Sequence, residues 1–306
     1  MKAFYCILIF LTGLSSCKDS ITNKGADFKN SPVVGEAVIW CDESLKNVIE
    51  QEADVFERSY PHAKLQVHYA PEMIIKRMFY ADSIDVMIIS HGLDSTELNG
   101  FHKREIWPRQ YMFGKSAMGF VGNTDRKKLK YKYNEMVDLL TSANQTFAIE
   151  NKNSGIALEL TRHLKGKSLS DKVYALENKE AVIEWLKSNP EGIGILDWSN
   201  IADEDDPNTD ELLQNVSIIE ISGILPVTEN TFYGPQQANL NEYYPFTRDL
   251  YIIRRVGITD VSLGFASFVC EDRGQKILLK AGLLPEYQYE RWIEFKGTEK
   301  YNVVKD

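Results

Sequence analysis

Cysteine, histidine and positive charge are all scarce in this chain, and each shortage closes off a class of function. Among 306 residues there are four cysteines and five histidines. No C-x-x-C occurs, and His62, His68, His91, His102 and His163 show neither H-E-x-x-H nor paired metal spacing, so zinc sites and dithiol redox centres have no sequence support. No serine sits in G-x-S-x-G and no Walker loop is present, while Gly192-Ile193-Gly194 lacks the third glycine of a dinucleotide fingerprint. The acidic run Asp203-Glu204-Asp205-Asp206 with Asp210 lacks the glycine and terminal glutamate of an EF-hand and reads as a solvated loop. Lys and Arg number 35 against 44 Asp and Glu, a net charge of -9, which argues against a cationic face that could release counterions from nucleic acid. No catalyst, cofactor or metal is expected.

Long hydrophobic runs are also missing: none reaches the ~20 residues that a membrane span requires. The longest opens the chain. Met1 to Cys17 reads MKAFYCILIFLTGLSSC, with a cation at Lys2, an apolar stretch and then small residues, which is the pattern of a secretory signal over residues 1–16. Leu14-Ser15-Ser16-Cys17 fits a bacterial lipobox, so Cys17 is expected to carry lipid and anchor the protein at the cell envelope without spanning. A buried N-terminal helix would explain the apolar run but not its end at Leu-Ser-Ser-Cys. Residues 17–35 are polar and aperiodic, as in a flexible tether. Cys6 leaves with the signal, and Cys41 and Cys270, far apart in sequence, are expected as two reduced buried thiols.

What is present is a chain that is 43% hydrophobic, enough to bury a core, and too long for one ordinary core; two lobes of about 100–150 residues suit it. Strands alternate with helices. Glu36–Trp40 predicts a strand, followed by a helix carrying Leu45, Val48, Ile49, Ala53 and Phe56 on one face with Asp42 as N-cap. Leu65–Tyr69, the helix Pro71–Tyr80 and the continuous apolar strand Ile84–Ile89 complete a β-α-β-α-β unit. Further strands are predicted at Ala117–Val121, Thr146–Glu150, Ile193–Leu196 and Asp249–Ile253, with helices to Leu164, from Asn178 through Leu186, and over Val261–Lys280; residues 203–242 read as loop-rich. Such alternation predicts an α/β fold of helix-covered parallel sheets with ligand sites at the carboxyl ends of the strands. Three polar junctions stand there: Cys41 to Ser44, Ala70 to Glu72, and Asn151 to Gly155. Each offers a helix N-terminus suited to an anion, or simply residues that cap their own helices.

Four pieces, taken in order, resemble the phosphate-binding protein of the bacterial phosphate ABC transporter, a member of the type 2 periplasmic-binding superfamily. They are the first strand and turn before the helix ending Ala53 to Pro61; Ala81 to Ser90, similar to an Asp-containing strand ending in Ser; Asn153-Ser154-Gly155, similar to a Ser-Gly-Thr phosphate loop; and Tyr244 to Ile252 followed by Gly274-Gln275-Lys276-Ile277 and Gly282 to Pro285. The resemblance spans about Val38 to Phe295 and implies a two-lobed clamp with a two-strand hinge. Residues 36–116 with 250–306 would form lobe 1, 117–222 lobe 2, and 223–249 a loop-rich return. It also implies a lipid-anchored, monomeric solute-binding protein that captures phosphate or another oxyanion for transporter subunits.

Carried over residue by residue, the resemblance implies ligand contacts from Glu43, Ser44, Ser90, His91, Asn153, Ser154 and Gly155. Ile156 stands where the family has threonine and Glu150 where it often has arginine, so a hydroxyl and a cation are expected to be missing. Glu43, Glu72 and Glu150 around one cleft would repel a dianion. The alternative expectation is a clamp that has lost phosphate and binds another solute or serves as an envelope adaptor.

Overall fold

The computed structural model describes residues 31–202, 209, 212–255 and 259–287. The signal and lipobox, most of the tether, the acidic run 203–206 with Asp210, and residues 288–306 lie outside the described residues.

The first lobe begins as the alternation predicts. Strands β1 (Gly35–Asp42), β2 (Ala63–Ala70) and β3 (Val86–Ile89) are connected by helices α1 (Lys46–Ser59) and α2 (Glu72–Tyr80). They form a parallel sheet with β1 between β2 and β3. All four residues of β3 are buried, as expected of a strand covered on both faces. Helix α3 (Ser95–His102) follows, started by a capping box in which Asp94 accepts from the Thr96 and Glu97 amides.

Strand β4 (Arg109–Asn123) then runs from one lobe into the other. It pairs antiparallel with β11 (Thr247–Arg254) up to Ala117, and with β8 (Ile193–Asp197) from Met118 to Gly122. The Met118 amide bonds the Phe246 carbonyl at 2.9 Å, so the chain crosses twice at the same place. The second lobe adds β5 (Lys130–Tyr131), α4 (Tyr133–Thr141), β6 (Phe147–Glu150), α5 (Gly155–His163), β7 (Val173–Leu176), α6 (Lys179–Ser188), β9 (Val216–Ser222) and β10 (Phe232–Tyr233). The sheet order β2-β1-β3-β11-β4-β8-β6-β7 makes one curled sheet of two halves joined through β4. Helices α7 (Val261–Cys270) and α8 (Asp272–Lys280) and the short β12 (Leu284–Pro285) return to the first half.

Each half has its own apolar interior. Phe56, Phe113, Phe265 and Phe268 pack in the first, with a smaller set of Ile75, Phe79, Phe101 and Ile253 on the other side of its sheet. Phe120, Phe147, Leu160 and Phe246 pack in the second.

Helix α3 and strands β7 and β10 were not expected from the sequence, and three further elements differ from expectation. Strand β4 extends eight residues upstream of Ala117, through Arg109, Gln110, Lys115 and Ser116, because its ladder to β11 outweighs the low strand propensity of those side chains. Strand β9 lies in the stretch read as loop-rich, paired to β4, β5 and β10. The single helix expected over 261–280 is two, because Glu271 is extended at φ -90, ψ 170. At this break a Cβ on Gly274 would stand 2.5–2.6 Å from the backbone of Phe268 and Val269, so the tight turn between α7 and α8 requires glycine. Neither Cys41 nor Cys270 forms a disulfide; Cys41 is buried and Cys270 only half-buried.

Candidate functional site: a charged seam between the lobes

Helix α5 points its N-terminus at the first lobe. The turn before it is shaped by Asn151, at φ 38, whose side-chain oxygen accepts from the Asn153 amide at 3.0 Å. Ser154 is the N-cap: its hydroxyl accepts from the Ala157 amide at 3.3 Å and donates to the Glu150 carbonyl at 2.9 Å. That hydroxyl is occupied in holding the helix, the role that capping predicts. At Gly155 a Cβ would lie 2.5 Å from both Arg248 Nη2 and Glu72 Oε2, and 2.7 Å from Ser90 Oγ. Glycine is what lets three polar groups from the first lobe and the crossing strand approach the helix start this closely.

Arg248, at the start of β11, is 1% exposed. It donates to Asp42 Oδ2 at 3.1 Å and to Ser44 Oγ at 3.4 Å, and pairs through Nη1 with Asp197 at the end of β8. Asp42 also accepts the Ser44 hydroxyl at 2.9 Å. Asp197 accepts the Ser116 hydroxyl at 2.9 Å and the Ser199 amide at 2.8 Å, while Ser199 Oγ sits 2.9 Å from the Ser44 carbonyl across the seam. Isolated burial of any of these charges would cost several kcal/mol. The guanidinium between two carboxylates makes it tolerable. Burial, reinforced by Glu72, still outweighs Arg248 and pushes Asp42 up to about 6. Burial outweighs Lys179 and pushes Glu150 up to about 7.

A second cluster adjoins the first. Glu72, fully buried at the start of α2, accepts from the Ser90 amide at 3.0 Å and from the Ser90 hydroxyl. His91 is 2% exposed; its Nδ1 lies 2.8 Å from Glu72 Oε1, and its Nε2 meets Glu159 on α5. Burial alone would raise Glu72, but the hydrogen bonds and charge of His91, with Arg248 and Ser90, hold it at about 2.

Among the described residues, the ties between the lobes include Arg248–Asp197, the Ser116 hydroxyl to Asp197, His91–Glu159, the Ser199–Ser44 contact, the Met73 amide to the Asn153 carbonyl at 3.2 Å, and Asn151 Nδ2 to Glu43 Oε1 at 3.1 Å. Beside them lies a polar cavity of about 350 Å³, lined from both lobes by Ser90, His91, Asp94, Glu159, Arg162 and Tyr251.

Of the residues singled out in the sequence, Ser44, Ser90, His91, Ser154 and Gly155 converge on the seam. Glu43 is exposed at its edge, and Asn153 offers its carbonyl. Ile156 faces the apolar interior of the second lobe. Glu72 is buried and Glu150 half-buried, and one Glu150 oxygen has no hydrogen-bond partner. The expectation of a missing cation is corrected, since Arg248 brings a guanidinium to the seam from a different strand. Arg248, Asp197 and Glu159 were not picked out by sequence reasoning. Their only signals were an arginine opening an apolar strand, an aspartate ending a buried one, and a glutamate one turn past Gly155. Among the described residues no three His, Cys, Asp or Glu side chains converge to hold a metal ion, and no helix is long and apolar enough to cross a membrane.

Residues 28–273 match the profile of a PBP superfamily domain. Among solved structures, the chain is similar to one described as a phosphate ABC transporter substrate-binding protein with bound phosphate from Clostridium perfringens, at TM-score 0.65 and 14% identity, covering 83% of this chain and 100% of that one. An ABC-type phosphate transport receptor from Vibrio cholerae aligns at TM-score 0.61 and 11% identity, covering 82% and 100%. The CcmR regulatory domain of Synechocystis PCC6803 in complex with 2-PG aligns at TM-score 0.53 and 14% identity, covering 77% and 95%. At such identities the likeness is one of fold. No curated protein matches.

Proposed function

From a chain that belongs to the PBP superfamily, we propose a solute-binding protein that closes its lobes on a small oxyanion, phosphate being the first candidate, and delivers it to a membrane transporter without turning it over. The observation that supports this reading is the meeting of Arg248, Ser44 and Ser90 at the N-terminus of α5 around Gly155. A guanidinium beside free helix amides is a chemistry that favours oxyanion oxygens. The neighbouring carboxyls set the charge of the ligand. Asp42 and Glu150, pushed up to about 6 and about 7 by burial, can accept or share a proton, so a protonated monoanion fits better than a dianion. A lipid at Cys17 would hold the clamp at the envelope, as a monomer beside its transporter.

One observation favours a second reading. Arg248 already has Asp42 and Asp197 as counter-charges, and the inter-lobe ties named above are made within the protein. A clamp that closes on itself would suit an adaptor in an envelope complex.

Thermal unfolding of the full chain with and without millimolar phosphate, sulfate, molybdate and a panel of neutral and cationic solutes separates the two. A ligand at 100 times its Kd stabilises the fold by about 2.7 kcal/mol. A shift with phosphate that is lost in Arg248→Lys and Ser44→Ala is the expected result; no shift with any anion overturns the oxyanion reading and leaves the adaptor.

A further inference from the structure

We infer that His91 is a proton-operated latch between the lobes, closing the clamp when protonated and releasing it when neutral. The geometry carries this. His91 sits at the carboxyl end of β3, buried, with each ring nitrogen facing a carboxylate from a different lobe: Nδ1 to Glu72 of the first at 2.8 Å, and Nε2 to Glu159 of the second. A neutral imidazole has one N–H and can donate to only one of them, whereas an imidazolium donates to both. The bridge across the cleft therefore needs the proton, and opening the cleft takes Glu159 away from it.

The surroundings set the direction. From α2, Glu72 faces the ring; from β3, Ser90 Oγ lies 3.0 Å from Nδ1. From α5, Glu159 is itself paired with His163 at 3.2 Å and with Arg162 at 3.8 Å, and Tyr133 of α4 bonds His163 at 3.1 Å. Arg248 and Asp42 face Glu72 from behind, and Asp94 and Asp249 line the adjoining cavity. Burial opposes the imidazolium, but the two carboxylates outweigh it and raise the ring above the ordinary histidine range. Opening removes Glu159 and also lifts part of the burial; in the latch the lost carboxylate outweighs the lost burial. The closed form thus binds the proton more tightly than the open form, so closure takes up a proton and is favoured as pH falls. One linked proton changes the closed-to-open ratio by up to about tenfold per pH unit between the two pKa values.

This device acts on the proposed solute site but does not depend on what that site binds, so it is tested without solute. Donor and acceptor fluorophores are placed by unnatural amino acids at exposed Lys103 and Lys187 of the full chain. The inter-lobe distance is then followed from pH 5.5 to 8.5 as an arbitrary titration range. The wild type is expected to pass from a short to a long distance as pH rises. His91→Gln and Glu159→Gln are expected to flatten the response, and His163→Gln to keep it. A wild-type distance that does not change with pH, or a response retained in Glu159→Gln, overturns the latch. Since Glu159→Gln leaves the ring and Glu72 in place, a folding failure of His91→Gln does not decide the matter. A latch that works in a protein showing no anion-dependent thermal shift would mean that the oxyanion reading, and not this one, has failed.

Discussion

The lobe interiors and the seam between them are buried to the same degree and built from opposite materials. Phe56, Phe113 and Phe265 in one interior, and Phe120, Phe147 and Phe246 in the other, are fully buried and apolar. At the seam, Arg248, Asp42, Asp197, Glu72 and His91 are equally shielded and carry charge or exchange protons. Apolar contact is non-directional and holds each lobe as a body. Charge pairing is directional and depends on both partners being in place, so it can be made and broken as two bodies meet. The comparison teaches that burial in this fold uses two materials: apolar contact inside the lobes and paired charge between them.

The sharpest way to break the comparison is to remove the central cation. Arg248→Met leaves Asp42 and Asp197 buried without their counter-charge and should cost about 3–5 kcal/mol by urea denaturation, as much as Phe56→Ala should cost inside the first lobe. The two differ in their remedy. Combining Arg248→Met with Asp42→Asn and Asp197→Asn should recover most of the loss, because a seam without charge needs no pairing; no partner change should rescue Phe56→Ala. A triple variant as unstable as the single one would show that the seam holds by shape and not by charge.

A smaller effect is expected at Gly155. A methyl group there meets Arg248, Glu72 and Ser90 at 2.5–2.7 Å, so Gly155→Ala should cost about 1–3 kcal/mol through overpacking. Differential scanning calorimetry would check it. An unchanged Tm would mean that the lobes separate freely enough to admit the methyl.

The smallest change sharpens the comparison from within a lobe. Glu52 on α1 is fully buried with neither carboxylate oxygen hydrogen-bonded, and burial raises it well above the usual carboxyl range. Such a carboxyl must take up a proton to fold. It therefore carries no penalty below the unfolded value and a growing one as pH rises through that value toward the folded one. Glu52→Leu should stabilise the protein by about 1 kcal/mol or more at pH 8 and by less at pH 4, measured by urea unfolding at both. A loss at pH 8 would show that Glu52 has a partner in solution and that the lobe interior, too, relies on a charge.

Much of the fold was legible in the order of the chain. Continuous apolar runs such as Val86–Ile89 and helical spacing from Leu45 to Phe56 report local burial, which each segment encodes for itself. The break at Glu271 and the extension of β4 were hidden, because they arise from the contact of Gly274 with the preceding turn and from a ladder to a strand more than a hundred residues away. The seam divides in the same way. Ser44, Ser154 and Gly155 stand at strand-to-helix junctions, whose position follows from the β-α pattern alone, whereas Ser90 and His91 were picked out through the resemblance.

By itself, then, the sequence determined that this is a helix-covered α/β chain with polar junctions facing one side, because hydrophobic periodicity and turn chemistry act over a few residues. Only the tertiary structure decided which charges meet there. Arg248 reaches Asp42 and Asp197 across 206 and 51 residues, and His91 reaches Glu159 across 68. Electrostatic pairing depends on distance in space and on the removal of water, neither of which exists until both lobes have folded and closed.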